Sequence, residues 1–243
     1  MTGRMRVACA IVTGLLGSAA AASAQIPGMP LFTNPRYGTG LRVHADFGQN
    51  TDQGTSIGKL TVVQGGVSFA LGPIGFDASV GMPKEQLSSA QDCIKSTTVD
   101  CSDQKYSAAV LAQLRLMGGG SNPLALSVFG GAAMDVTGYD AASFDLGTGT
   151  LPKELNIPIG ASLGVHIPFG LNIWGAPRFN LTRFVNCGGT CPDGTSKFRW
   201  AIGADMPILS ILSVRAAYDS GKYGDVTLNY WGVGVSLGLG GMR

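Results

Sequence analysis

The residues of this 243-residue chain with most capacity for chemistry are two histidines, five cysteines and a set of charged side chains at alternate positions. His44 stands in Val43-His44-Ala45-Asp46 and His166 in Val165-His166-Ile167-Pro168. In an extended strand residues i and i+2 share a side, so His44 and Asp46 form the one candidate acid–base pair. Neither histidine is followed by a motif that supplies a nucleophile, and an ordinary hydrogen bond is the simpler reading of the pair. No catalytic residue is assigned. No phosphate-binding glycine loop stands between a strand and a helix, and no cofactor is expected.

Cys9 lies in an apolar N-terminal stretch, which leaves Cys93, Cys101, Cys187 and Cys191 in two polar segments. Four cysteines allow three pairings. The expected links are within each segment, Cys93–Cys101 and Cys187–Cys191, closing short rings in an oxidising compartment. A metal centre would need four converging ligands, and no histidine lies in either segment, so no metal is expected. A catalytic thiol would likewise lack a histidine to activate it. Asp92, Asp100 and Asp103 carry the hard oxygen donors that divalent cations take, but acids in such a setting are more often simply solvated.

These residues must be positioned by some scaffold, and the first 25 residues say where it goes. Arg4 and Arg6 precede an apolar run from Val7 to Ala22, and Ala22-Ser23-Ala24 fits the small-x-small cleavage rule. Residues 1–24 therefore read as a signal peptide, and the mature chain as starting at Gln25. Removing Arg4 and Arg6 takes Lys+Arg from 17 to 15, equal to the 15 Asp+Glu. A neutral mature chain gives no support for nucleic acid as a partner. Charged residues are only 13% of the sequence, well below the ~25% usual for soluble domains. Yet no run of ~20 apolar residues follows the signal. A closed barrel, in which every backbone group pairs between strands, is the membrane solution that remains.

Alternation places ten strands at 39–48, 58–70, 74–82, 105–117, 123–136, 155–167, 171–183, 196–206, 211–219 and 228–239. The ninth is the weakest, so eight remains possible. The intervening segments alternate long (49–57, 83–104, 137–154, 184–195, 220–227) and short (72–73, 118–122, 168–170, 207–210), as external loops and periplasmic turns do. Prolines 158 and 177 sit within strands and predict bulges or local irregularity. Residues 25–37, with Pro27, Pro30 and Pro35, read as an extended periplasmic leader, and 38–243 as the barrel.

Within the strands Leu41, Val43, Ala45 and Phe47 oppose Arg42, His44 and Asp46; Phe198, Trp200, Ile202 and Ala204 oppose Lys197, Arg199 and Asp205. The second face is mostly Gly, Ala and Ser with few charges, too sparse for a soluble surface, so the apolar face is set toward lipid. Aromatics near strand ends, Phe47, Tyr106, Phe184, Phe198, Tyr218 and Tyr230 toward the long segments and Phe69 and Phe169 toward the short ones, fit two interfacial girdles, whereas Phe129 and Trp174 fall on the wrong face for lipid. Arg42, Arg115, Arg178, Lys197, Arg199 and Arg215 then share the lumen with Asp46, Asp77, Asp135, Asp205 and Asp219. They could line a selective pore. Ten strands enclose little more than the eight whose side chains just fill the interior, and buried charges must pair, so a salt-bridged, filled lumen is favoured.

The signal peptide, the ~10-residue amphipathic strands and the closing segment Tyr230-Trp231-Gly232-Val233-Gly234-Val235-Ser236-Leu237-Gly238-Leu239 resemble small porin-family or opacity-type outer-membrane β-barrel proteins. The resemblance implies an all-β, transmembrane, antiparallel up-and-down barrel in the outer membrane. It implies lipid and the barrel-assembly machinery as partners, an external ligand of unspecified kind, and a structural or surface-interaction role. A narrow passive channel for small solutes is the alternative, and an outer-membrane enzyme a distant third. The chain departs from the resemblance at its end, Gly240-Gly241-Met242-Arg243, where such barrels close on an aromatic residue.

Overall fold

A computed structural model describes residues 26, 28–51, 59–86, 106–119, 122–135, 153–185, 194–223 and 226–239. Ten strands form in chain order: β1 (Gly40–Asn50), β2 (Lys59–Leu71), β3 (Ile74–Gln86), β4 (Ser107–Gly119), β5 (Asn122–Asp135), β6 (Lys153–His166), β7 (Asn172–Val185), β8 (Thr195–Pro207), β9 (Leu212–Tyr223) and β10 (Val226–Gly238). Each pairs antiparallel with its sequence neighbours, and β1 pairs with β10 to close the barrel. Closure removes both sheet edges, which is what lets strands cross a bilayer. The ninth strand is present, so the count is ten and not eight.

The apolar face points outward. Val63, Phe76, Val80, Ile159, Leu163, Phe198, Ile202, Val233 and Val235 are all exposed. Aromatic pairs brace this wall on β7 to β10 and β1: Phe47 with Trp231 at 5.6 Å, Phe179 with Phe198 at 5.7 Å, Trp200 with Tyr218 at 5.8 Å between ring centroids. Tyr230, expected among outward aromatics, instead turns inward and is buried.

The expected long segment 220–227 is largely strand. β9 continues to Tyr223, β10 starts at Val226, and the two pair there. The signal was in the sequence, because Gly-Asp between alternating runs is a two-residue hairpin signature. No register shift occurs at Pro158 or Pro177, but the ladders are interrupted beside them: β5 and β6 pair up to Gly130–Ile159 and resume at Ala133–Asn156, and β6 and β7 pair up to Gly160–Arg178 and resume at Leu163–Gly175. Register shifts lie between β4 and β5, at Arg115/Met117 and Met117/Gly119.

The largest departure concerns the N-terminal segment. Rather than lying below the barrel as a leader, residues 26 and 28–35 run inside it. Ile26, Met29, Pro30, Leu31, Thr33 and Pro35 are buried. Glycines on the lumen face make the room. A Cβ at Gly232 would stand 2.7 Å from Pro30, and one at Gly164 the same distance from Pro35. The physical reason for burial is composition: Ile26, Met29, Leu31 and Phe32 are apolar, and packing them in the lumen removes them from water. They join lumen residues in two clusters, one with Leu111, Phe129, Trp174 and Ala176, the other with Val62, Ala109 and Ala133.

Candidate functional site: the plugged lumen

Two ionic networks hold the lumen around this segment. In the first, Arg215 on β9 grips Asp46 on β1 through Nε and Nη2, both at 2.7 Å. His44 stands between two carboxylates, with Nδ1 2.9 Å from Asp46 and Nε2 2.9 Å from Asp77 on β3. Gln64 donates to Asp46 at 3.4 Å. Strands two apart in a sheet are about 9–10 Å apart, so these side chains must lean over the strand between them. They do so above glycines: a Cβ at Gly66 would lie 2.5 Å from the His44 ring.

The second network centres on Asp219. Arg178 reaches it from β7 over β8 at 2.5 Å, and Arg199 donates to its other oxygen at 2.9 Å. Arg178 and Arg199 are direct cross-strand neighbours, a like-charge placement that costs energy unless a counter-ion is shared. Asp219 supplies that counter-ion, and Asn180 accepts from Arg178 Nε at 3.0 Å. The Arg199 guanidinium lies 5.2 Å from the centre of the Tyr230 ring. The backbone N–H of Leu31 donates to Asp219 at 3.3 Å, which ties the N-terminal segment to the network.

Further contacts anchor the rest of the segment. Gln113 Nε2 donates to the carbonyls of Thr33 and Asn34, each at 3.4 Å. The Arg215 guanidinium sits 4.4 Å from the centre of the Phe32 ring. At the short-turn end, Arg36 Nη1 donates to the carbonyl of Asn122 and the Tyr37 hydroxyl to that of Pro73.

Of the eleven charged residues proposed for the lumen from sequence, the structure joins Asp46, Asp77, Arg178, Arg199, Arg215 and Asp219 in the two networks. Asp205 takes a different partner, accepting from Trp174 Nε1 at 2.6 Å. Arg42 lies on the same face between Ser68 and Gly238. Arg115 is a correction. It joins neither network; its Nη1 donates to the carbonyl of Tyr37 at 3.3 Å and its Nη2 to that of Gly72 at 2.9 Å. It stands at the short-turn end of β4, where carbonyls of the chain entering the lumen are the acceptors within reach. Lys197 is half-buried near the opposite end of β8 and joins neither network among the described residues. The Asp135 side chain, and Cys93, Cys101, Cys187 and Cys191, lie outside the described residues.

Leu31, Phe32, Gln113, Trp174 and Tyr230 were not expected here. Phe129 and Trp174 were visible as aromatics on the wrong face for lipid, and that anomaly was the signal for an apolar patch inside.

No family model matches the chain, and no curated relative matches it. Among solved structures, an outer membrane channel from Pseudomonas putida F1 superposes with a TM-score of 0.52 at 7% identity, covering 86% of this chain and 99% of that one. The fold is that of the outer-membrane β-barrels. Neisserial surface protein A aligns over 84% of this chain and 100% of its own, with a TM-score of 0.38 and 12% identity. The attachment invasion locus protein of Yersinia pestis aligns over 82% and 98%, with a TM-score of 0.34 and 10% identity. At these identities the likeness reaches the fold and no further.

Proposed function

We propose that this chain is an outer-membrane barrel closed by its own N-terminal segment, with a structural or surface-interaction role carried by its external segments. The observation that carries the reading is the burial of residues 26 and 28–35 in the lumen, tied by the Leu31 N–H to Asp219. A barrel filled with its own chain has little to offer a diffusing solute. What remains to face a partner is the outside: lipid around the wall, and the polar segments that join the strands. In this reading the signal peptide is removed after Ala24, the barrel-assembly machinery inserts the mature chain, and Cys93–Cys101 and Cys187–Cys191 staple the external segments.

The reading is non-enzymatic. His44 is wholly buried, and each ring nitrogen already faces a carboxylate, so it presents no free nitrogen to a substrate proton. The refolded mature protein in planar bilayers should be electrically silent. Steady open currents would overturn the closed-barrel reading and favour a constitutive channel.

A further inference from the structure

The lumen is closed but not solid, and its empty space is arranged along one side. A cavity of about 90 Å³ opens near the short-turn end, beside Arg42, Asp77, Asp205 and Arg215. A second, of about 20 Å³, lies beside Gln64, Ser79 and Ala109. Phe32, Asp77, Leu111 and Arg215 line both. Phe32 also packs against both apolar clusters of the lumen, and the Arg215 guanidinium holds its ring from one side.

We propose that these cavities are two lengths of one aqueous passage along the β2–β4 wall, that Phe32 is its gate, and that small inorganic ions of either sign are the solutes it passes when open. The proposal rests on the closed-barrel reading and adds a second activity to it.

The wall facing this space mixes apolar Ala109 and Leu111 with polar Gln64, Asp77, Ser79 and Gln113 from β2, β3 and β4. Water is stable there, since each site offers several hydrogen-bonding groups. What interrupts it is apolar and belongs to the N-terminal segment. Ile26 and Met29 line the second cavity and pack with Val62, and Phe32 lines both cavities. A single polypeptide segment held by a few hydrogen bonds is easier to shift than a strand in a closed sheet.

Charge sets the expected preference. The charged groups that line the cavities balance, Arg42 and Arg215 against Asp77 and Asp205. Such a lining favours neither sign of ion.

The test uses the refolded full mature chain in planar bilayers across a potassium chloride gradient. Three proteins are compared: wild type, Phe32→Ala, and the triple variant Ile26→Ala/Met29→Ala/Phe32→Ala. The unboiled gel shift checks that each is folded. Wild type should be silent, Phe32→Ala should show brief openings, and the triple variant should show resolved current steps. The reversal potential should stay near zero, since the lining favours neither ion. Currents from wild type would instead sink the closed-barrel reading. Silence from both folded variants would sink the gate while leaving that reading intact. If the triple variant does not fold, silence from folded Phe32→Ala has the same force. A reversal potential close to that of chloride or of potassium would overturn the balanced lining.

Discussion

Arg215 and Asp46 are joined by two hydrogen bonds of 2.7 Å although β10 lies between their strands. The three positions Arg215, Gly234 and Asp46 are in register across β9, β10 and β1. The ion pair passes over Gly234, where an added Cβ would stand 1.8 Å from the Asp46 carboxylate. The glycine is thus part of the pair, since no other residue type leaves the space the carboxylate occupies.

Substituting Gly234→Val should therefore break the pair and leave buried charges poorly matched, a loss of about 3–5 kcal/mol. Gly65→Ala is the control. Gly65 is exposed, and a Cβ there meets nothing closer than 3.9 Å, so it should stay within about 0.5 kcal/mol of wild type. Urea midpoints of refolding, followed by the unboiled gel shift, read the difference. Equal midpoints would show that the ion pair contributes little.

Asp219 should be the most sensitive carboxylate of the lumen. Asp219→Leu leaves two buried guanidiniums without a counter-ion and should cost about 3–5 kcal/mol. Arg178→Met should cost less, because the Arg199–Asp219 pair survives. The two refolding midpoints, measured side by side, check the order, and a reversed order would argue against a shared counter-ion.

Arg115 gives a contrasting case. Its bonds to the Tyr37 and Gly72 carbonyls lie partly in solvent, so Arg115→Ala should cost only about 1–2 kcal/mol. Its more specific effect should be on the N-terminal segment, which it clamps at the point of entry. Limited proteolysis from the periplasmic side should cut near residues 36–40 faster in the variant. Unchanged cleavage with a large drop in midpoint would place Arg115 in an ionic network after all.

The wall of this barrel was legible in the sequence because lipid imposes a rule on every second residue. Leu41 against Arg42, or Trp200 against Arg199, tells which way a strand faces. Which acid meets which base was not legible. Arg178, Arg215 and His44 each reach a partner two strands away, and the reach depends on register and on which intervening position is glycine. The N-terminal segment was missed for a different reason. Irregular chain has no period to read, and its prolines fit an extended leader equally well. Its apolar content, four large side chains within seven residues, was the available clue: Ile26, Met29, Leu31 and Phe32 are costly to leave in water. At Tyr230 an aromatic near a strand end suggested the membrane interface, and the cation–π contact with Arg199 places it inside.

The cysteines offer a separate check on export. Non-reducing peptide mapping of the mature protein should recover Cys93–Cys101 and Cys187–Cys191. Short rings of this kind stabilise by about 2–3 kcal/mol in the chain-entropy model, and act on the external segments. Reduction should leave the unboiled gel shift unchanged. Crossed links between the two segments would show that they fold over one another, and free thiols throughout would argue against an oxidising location.

The central claim is that the N-terminal segment lies inside the barrel, and hydrogen–deuterium exchange of the refolded mature protein tests it most directly. Peptides covering residues 28–37 carry the amide of Leu31, which donates to Asp219, and others enclosed by the wall. They should exchange slowly, at rates comparable with those of β1 and β10. Complete exchange at the earliest time point, with the strands still protected, would put the segment outside the lumen and contradict the account.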